Sequence, residues 1–225
     1  FPVEFMTEGR RKAVVTALAA EAPRKSVLAT IETPSTPPLS PIVRRFPIPP
    51  IPEPDRTEAW VSEQLNAIFK AVKNCSDCRS LGTLFETLVP ARGNPMADIV
   101  FVGEAPGIEE EETKSPFAGQ IGQKLDQILK AMGTRREEVY LSNLVKFRPR
   151  KGDGRFQGST ERPPQEDEMA ASLPYLRAEI EVVRPRAIVV FGGTVAEGLL
   201  ERGGSLASFR SGAHLFDGIP VVVTY

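Results

Sequence analysis

The sequence predicts an α/β fold with three layers, helix, sheet, helix, around a central, mostly parallel sheet of four strands. Three observations carry that expectation. Apolar runs of strand length recur along residues 98–224, three of the four bounded by Gly. Between them lie segments whose apolar residues return every three and four positions, the mark of helices with one buried face. The two kinds of segment alternate, which requires crossover connections and hence parallel strands covered on both faces.

The first part of the chain departs from this pattern. Pro accounts for 21 of 225 residues and is concentrated early, in runs such as Thr33-Pro34-Ser35-Thr36-Pro37-Pro38 and Pro47-Ile48-Pro49-Pro50-Ile51-Pro52. Such runs remove amide donors and favour extended polyproline II. Residues 1–55 are therefore read as a disordered extension or linker, with a short amphipathic helix around residues 8–20, and residues 56–225 as the folded domain. The chain opens on Phe1 and ends at Tyr225 directly after a strand-like run, so a fragment is expected. No apolar run is long enough to span a membrane and no secretory signal is legible, which predicts a cytoplasmic protein. With 28 Lys and Arg against 29 Asp and Glu, a polyanionic partner would have to be met by a local basic patch.

The folded part begins with a helix carrying Val61, Leu65, Ile68, Phe69 and Val72 on one face. A turn from Cys75 to Cys78 and a loop lead to the first strand, Asp98-Ile99-Val100-Phe101-Val102, closed by Gly103. Ile121, Leu125, Ile128, Leu129 and Met132 form the next helical stripe, with Gly133 placed to end it in a left-handed cap. Thr134 and Glu137 resemble a capping box opening a brief turn. The second strand is expected at 139–145, a helix at 165–183 interrupted by Pro174, and the third strand at 187–191. Thr194 and Glu197 are expected to cap the following helix, and 219–224 to form the fourth strand.

In open α/β sheets ligands bind beyond the carboxyl ends of the strands. Three segments fall there: Gly103-Glu104-Ala105-Pro106-Gly107, Ser142-Asn143 with the basic residues after it, and Gly192-Gly193-Thr194 at a helix start, where free amides favour an anion. The glycine turn matches neither a phosphate-binding loop nor a dinucleotide fingerprint. Read singly, Glu104 could satisfy turn amides, Phe117 could plug the core, and Asn143 could bond its own backbone.

The spacing from this turn to Pro116-Phe117 and on to Leu141-Ser142-Asn143-Leu144-Val145-Lys146 resembles the family-four (type 4, iron-sulfur) uracil-DNA glycosylases, over about residues 75–225. The resemblance implies the fold of that superfamily and excision of uracil from DNA in base excision repair. It places Gly103, Glu104 and Ala105 on the uracil pocket, Phe117 where a ring stacks on the extruded base, and Asn143 where an amide reads the base edge. An Asn amide can donate to uracil O4 and accept from N3–H, whereas cytosine presents the opposite pattern at those atoms. Glu104 is the candidate to position the attacking water. Relatives that use an Asp in this motif have Ala105 at the comparable place here. No pocket lysine stands out as a Schiff-base nucleophile, so hydrolysis without a lyase step is expected.

Lys146, Arg148, Arg150 and Lys151, within the basic stretch 146–162, are the expected DNA-facing residues. The acidic run 109–112 is read as a solvated loop or helix start, since four carboxylates would repel phosphate. His214, the only histidine, lies upstream of the position where the family's His-Pro-Ser-like motif would follow the fourth strand, and is read as structural or superficial.

The family also holds a four-iron four-sulfur cluster on four Cys. Cys75 and Cys78 match two of those positions, but Phe147 and Ser172 occupy the others, so no complete cluster is expected. The partner implied is uracil-containing DNA, met by a monomer. Two competing readings are a relative that binds DNA or bases without excision, and a doubly wound nucleotide-binding protein unrelated to repair.

Overall fold

A computed structural model describes residues 56–152 and 157–225. The expectations for residues 1–55, and for residues 153–156 of the basic stretch 146–162, lie outside the described residues.

In chain order the elements are helix α1 (Glu58–Lys73), α2 (Ser76–Ser80), strands β1 (Leu84–Leu88), β2 (Arg92–Gly93) and β3 (Ile99–Gly103), α3 (Ile108–Thr113), α4 (Gly119–Met132), a 3-10 turn (Arg136–Glu138), β4 (Tyr140–Asn143), β5 (Phe147–Pro149), α5 (Glu166–Val183), β6 (Ala187–Phe191), α6 (Gly193–Leu200), α7 (Leu206–Arg210), β7 (His214–Phe216) and β8 (Ile219–Thr224). The main sheet runs β2-β4-β3-β6-β8-β7. Its four central strands are the expected parallel ones. The sheet is wider than expected because β2 and β7 add antiparallel edges. Two residues are too few to show any periodicity in β2, and β7 is folded back on β8 by Asp217-Gly218, both at positive φ (49° and 83°), as a tight hairpin turn demands. Strands β1 and β5 pair in a separate antiparallel ribbon.

Strand alternation sorts side chains into two cores. Val100 and Val102 of β3, Ile188 and Val190 of β6, and Val221 and Val223 of β8 pack under α1, α5, α6 and α7. Phe101 and Leu141 face the opposite side, against Leu125 and Leu129 of α4. The three layers follow from that division.

Several local expectations are corrected. Only Leu125 and Leu129 of the α4 stripe are buried; Ile121, Ile128 and Met132 are exposed, because the helix covers β3 and β4 through one narrow edge. Strand β4 stops at Asn143: the amides of Leu144 and Val145 turn to the carbonyls of Gly103 and Glu104 (2.8 and 3.0 Å). Glu138, not Glu137, is the carboxylate that accepts from Thr134 Oγ1 and the Arg135 amide. Helix α6 is capped by Gly192 at φ 94°, and Glu197 accepts instead from the amide of Gly204. Gly133 does end α4 at φ 75°, and α5 runs unbroken through Pro174. No helix among the described residues is long and apolar enough to cross a membrane.

Candidate active site

The carboxyl ends of β3, β4 and β6 open onto a cavity of about 620 Å³. Gly103, Glu104, Ala105, Phe117 and Asn143 all line it, joined by Glu110 and Phe191. Residues forty positions apart meet here because Gly103 and Asn143 are register partners at the last rung of the β3–β4 pairing.

The Gly at 103 is required by that closeness. A Cβ at this position would stand 2.2 Å from Asn143 Oδ1 and 3.1 Å from Phe117 Cζ. Asn143 itself is buried, and its Nδ2 donates to Glu110 Oε1 at 3.1 Å. The same carboxylate accepts from the amide of Phe117 (2.6 Å, Oε1) and the amide of Gly107 (2.9 Å, Oε2). Glu110 therefore ties the glycine turn, the aromatic loop and the end of β4 to one group. Burial pushes its carboxyl above the ordinary range, opposed by its donors Gly107, Asn143 and Phe117.

This corrects the reading of residues 109–112 as a solvated run. Glu109 and Glu112 are exposed, but Glu110 points inward. The sequence does carry a signal for it: Glu110 stands three residues after Gly107, the cap of α3, where a carboxylate reaches back to the cap amide.

Phe117 sits at φ 54°, a left-handed conformation that a bulky residue adopts only when its surroundings impose it. Its amide is held by Glu110 and its ring meets Phe191 edge-on, with centroids 5.6 Å apart. The ring is buried and also lines the cavity. Glu104 is half-buried on the cavity wall, and desolvation alone raises its carboxyl. The two carboxylates thus differ: Glu110 is satisfied by amides, whereas Glu104 faces the space.

The expected DNA-facing residues separate. Lys146 is fully buried, paired with Glu179 at 2.8 Å, so its ammonium is not available to a phosphate. Arg148 is buried too, donating to the Gly158 carbonyl at 2.5 Å and paired with Glu111 at 3.3 Å, although it contributes to the cavity lining. Its guanidinium and that of Arg150 each lie 5.2 Å from the centre of the Phe85 ring. Lys151 is exposed. Exposed Lys124 also lines the cavity; sequence reasoning misses it, because it lies on α4, whose legible pattern is its apolar stripe.

His214 is buried in the β7–β8 hairpin, with Nε2 2.6 Å from the Phe209 carbonyl and Nδ1 2.9 Å from Arg202 Nη2. A neutral ring donating through Nε2 and accepting at Nδ1 satisfies both contacts, which is a structural role.

The thiols of Cys75 and Cys78 are buried with sulfurs 2.6 Å apart, and Cys78 packs on α5 beside Ala171 and Ser172. Hydrogen bonding from Cys78 holds Cys75 below the ordinary thiol range, and the same bond together with burial pushes Cys78 above it. Phe147 lies in the same apolar core. Among the described residues no group of three or more Cys, His, Asp or Glu side chains is placed to hold a metal. Two thiols, a phenyl ring and a hydroxyl do not fit a four-iron cluster.

Comparison with known proteins bears on the same region. The profile of the Uracil DNA glycosylase superfamily matches residues 90–225. The chain is 36% identical to the type-4 uracil-DNA glycosylase of Pyrobaculum aerophilum over 137 residues, 61% of this chain and 65% of that protein. It is 37% identical to the type-4 enzyme of Saccharolobus solfataricus over 58% of this chain and 56% of the relative. For Thermotoga maritima the figures are 39% identity, 59% and 64%. The chain thus spans between 56% and 65% of the length of these relatives. The matched region contains the cavity at the carboxyl ends of β3, β4 and β6, and the chain belongs to the uracil-DNA glycosylase superfamily.

Proposed function

We propose that this protein hydrolyses the N-glycosidic bond of uracil in DNA and acts as a monomer. The observation that carries the reading is the convergence of a buried amide, Asn143, and a buried ring, Phe117, on one cavity beside a half-buried carboxylate, Glu104. The type-4 names of its relatives support the substrate.

A uracil in duplex DNA has to leave the stack to reach such a pocket. Phe117 then offers a face or edge for the base, and Asn143 donates to O4 and accepts from N3–H. Water on the far side of the sugar is held by Glu104. As the bond between C1′ and N1 breaks, the base departs with the electron pair, the water oxygen bonds to C1′, and the water's proton passes to the Glu104 carboxylate. Its raised proton affinity suits that role. Exposed Lys124 and Lys151 are the cations proposed to meet backbone phosphate.

The test uses a labelled single strand with one uracil and its cytosine counterpart. Affinity and release of free uracil are measured for the unaltered chain and for Asn143→Ala. Preferential binding of the uracil strand, lost in Asn143→Ala while affinity for the cytosine strand persists, is the expected result. No preference and no release by the unaltered chain would overturn the reading.

A further inference from the structure

Lys146 belongs to a buried polar cluster on the far side of β4 from the cavity. Its ammonium donates to Ser142 Oγ at 2.5 Å and to the backbone carbonyl of Asn143 at 2.7 Å, and is ion-paired with Glu179 Oε1 at 2.8 Å. Ser142 in turn donates to Glu179 Oε2 at 2.7 Å. Lys146, Glu179 and Ser142 are all fully inaccessible to solvent.

The topology explains why that carbonyl needs a partner. Edge strand β2 reaches only Tyr140 and Leu141, so β4 has no strand on that side at Asn143. One residue later the chain swings toward the glycine turn, where the Leu144 amide meets the Gly103 carbonyl. The peptide that carries the base-reading side chain is thus a bend at a sheet edge, and Lys146 is what grips it.

A buried ion pair is weak evidence of a stabilising role, because desolvation offsets most of the attraction and apolar replacements are often as stable. Orientation is the better account of its presence. Resting on the uracil-reading role given to Asn143, we propose that Lys146 is a positioning residue, which fixes the Asn143 backbone against α5 and thereby sets where the amide meets the base. Glu179 holds the ammonium in place from α5; Lys146 makes the contact that matters for recognition.

Two variants separate orientation from stability. In Lys146→Met/Glu179→Gln both charges are removed, and Ser142 keeps an acceptor. Glu179→Gln alone leaves the ammonium unpaired but keeps its bond to the Asn143 carbonyl. Each is assayed in the full chain for thermal midpoint, affinity for the cytosine strand, and the ratio of uracil-strand to cytosine-strand affinity.

The double variant is expected to melt later than Glu179→Gln and to keep its cytosine-strand affinity while its uracil preference falls about tenfold or more, the loss of roughly one buried hydrogen bond. Glu179→Gln is expected to melt earlier yet keep its preference. Preference unchanged in the double variant, or preference that merely tracks the midpoint in both, overturns this inference and leaves the uracil reading standing. An unaltered chain without uracil preference overturns both. Should the glutamine form not fold, Lys146→Met/Glu179→Leu is judged by the same ratio.

Discussion

Adding a single methyl group at Gly103 tests the pocket with the smallest change available. In Gly103→Ala the new carbon would lie 2.2 Å from Asn143 Oδ1. Contacts that close do not occur, so the oxygen has to retreat by about 1 Å. It cannot do so freely, since the other end of the amide is tied to Glu110. Gly103 itself needs no left-handed backbone, so the fold survives the substitution and only the packing above it changes. A shift of about 1 Å lengthens an ordinary hydrogen bond of about 2.9 Å past its useful limit. One buried partner left unsatisfied costs about 1 to 3 kcal/mol, or roughly 5- to 150-fold in affinity. Fluorescence anisotropy with uracil and cytosine strands should therefore show the preference for uracil falling by that factor, with cytosine-strand affinity and thermal midpoint nearly unchanged. A Gly103→Ala protein that keeps its preference within about twofold would show that Asn143 does not read the base from where it stands.

Acidification should weaken uracil binding through Glu110, whose carboxyl titrates above the ordinary range; between the unfolded and folded values the folded form takes up the proton, so stability rises as pH falls while the site loses its acceptor. A binding titration against pH should lose this transition in Glu110→Gln, and an unaltered profile in that variant would count against the role. Protein purified without oxygen should be colourless and carry well under four irons per chain, since its donor set lacks two thiolates; absorbance near about 400 nm with stoichiometric iron would refute this. Lys151→Ala should weaken binding to every strand alike and reduce the slope of log affinity against log salt by about one. Arg148→Ala should instead lower the thermal midpoint, because its guanidinium secures the 158–160 carbonyls rather than a phosphate.

The elements with a strong pattern are legible in the amino-acid sequence alone: β3, β6 and β8 carry dense runs of Val and Ile, and α1 shows its buried face. The cavity-lining residues at strand ends are legible for the same reason, because a strand once located fixes where its carboxyl end lies. What the sequence conceals is set by long-range partners. Lys146 and Arg148 have the sequence appearance of any basic loop, and only Glu179 and the 158–160 carbonyls draw them inside. Glu110 is marked only by its place three residues after the cap Gly107, and its hold on the Phe117 amide and on Asn143 is not legible. Ile121 and Ile128 look like core and stand outside, since a helical stripe says which residues share a face but not how much of that face is covered.

The bond from Asn143 to Glu110 has a consequence for fidelity. A primary amide is nearly symmetric in shape, and rotating it by half a turn exchanges its oxygen and nitrogen. The rotated group would accept from the amino group of cytosine and donate to its ring nitrogen, reading a normal base as damage. A carboxylate can only accept, so Glu110 admits the nitrogen and rejects the oxygen. On the proposed function, the distinction between excising uracil and excising a normal base rests on a rotamer locked before any DNA arrives, by a residue with no need to touch the base.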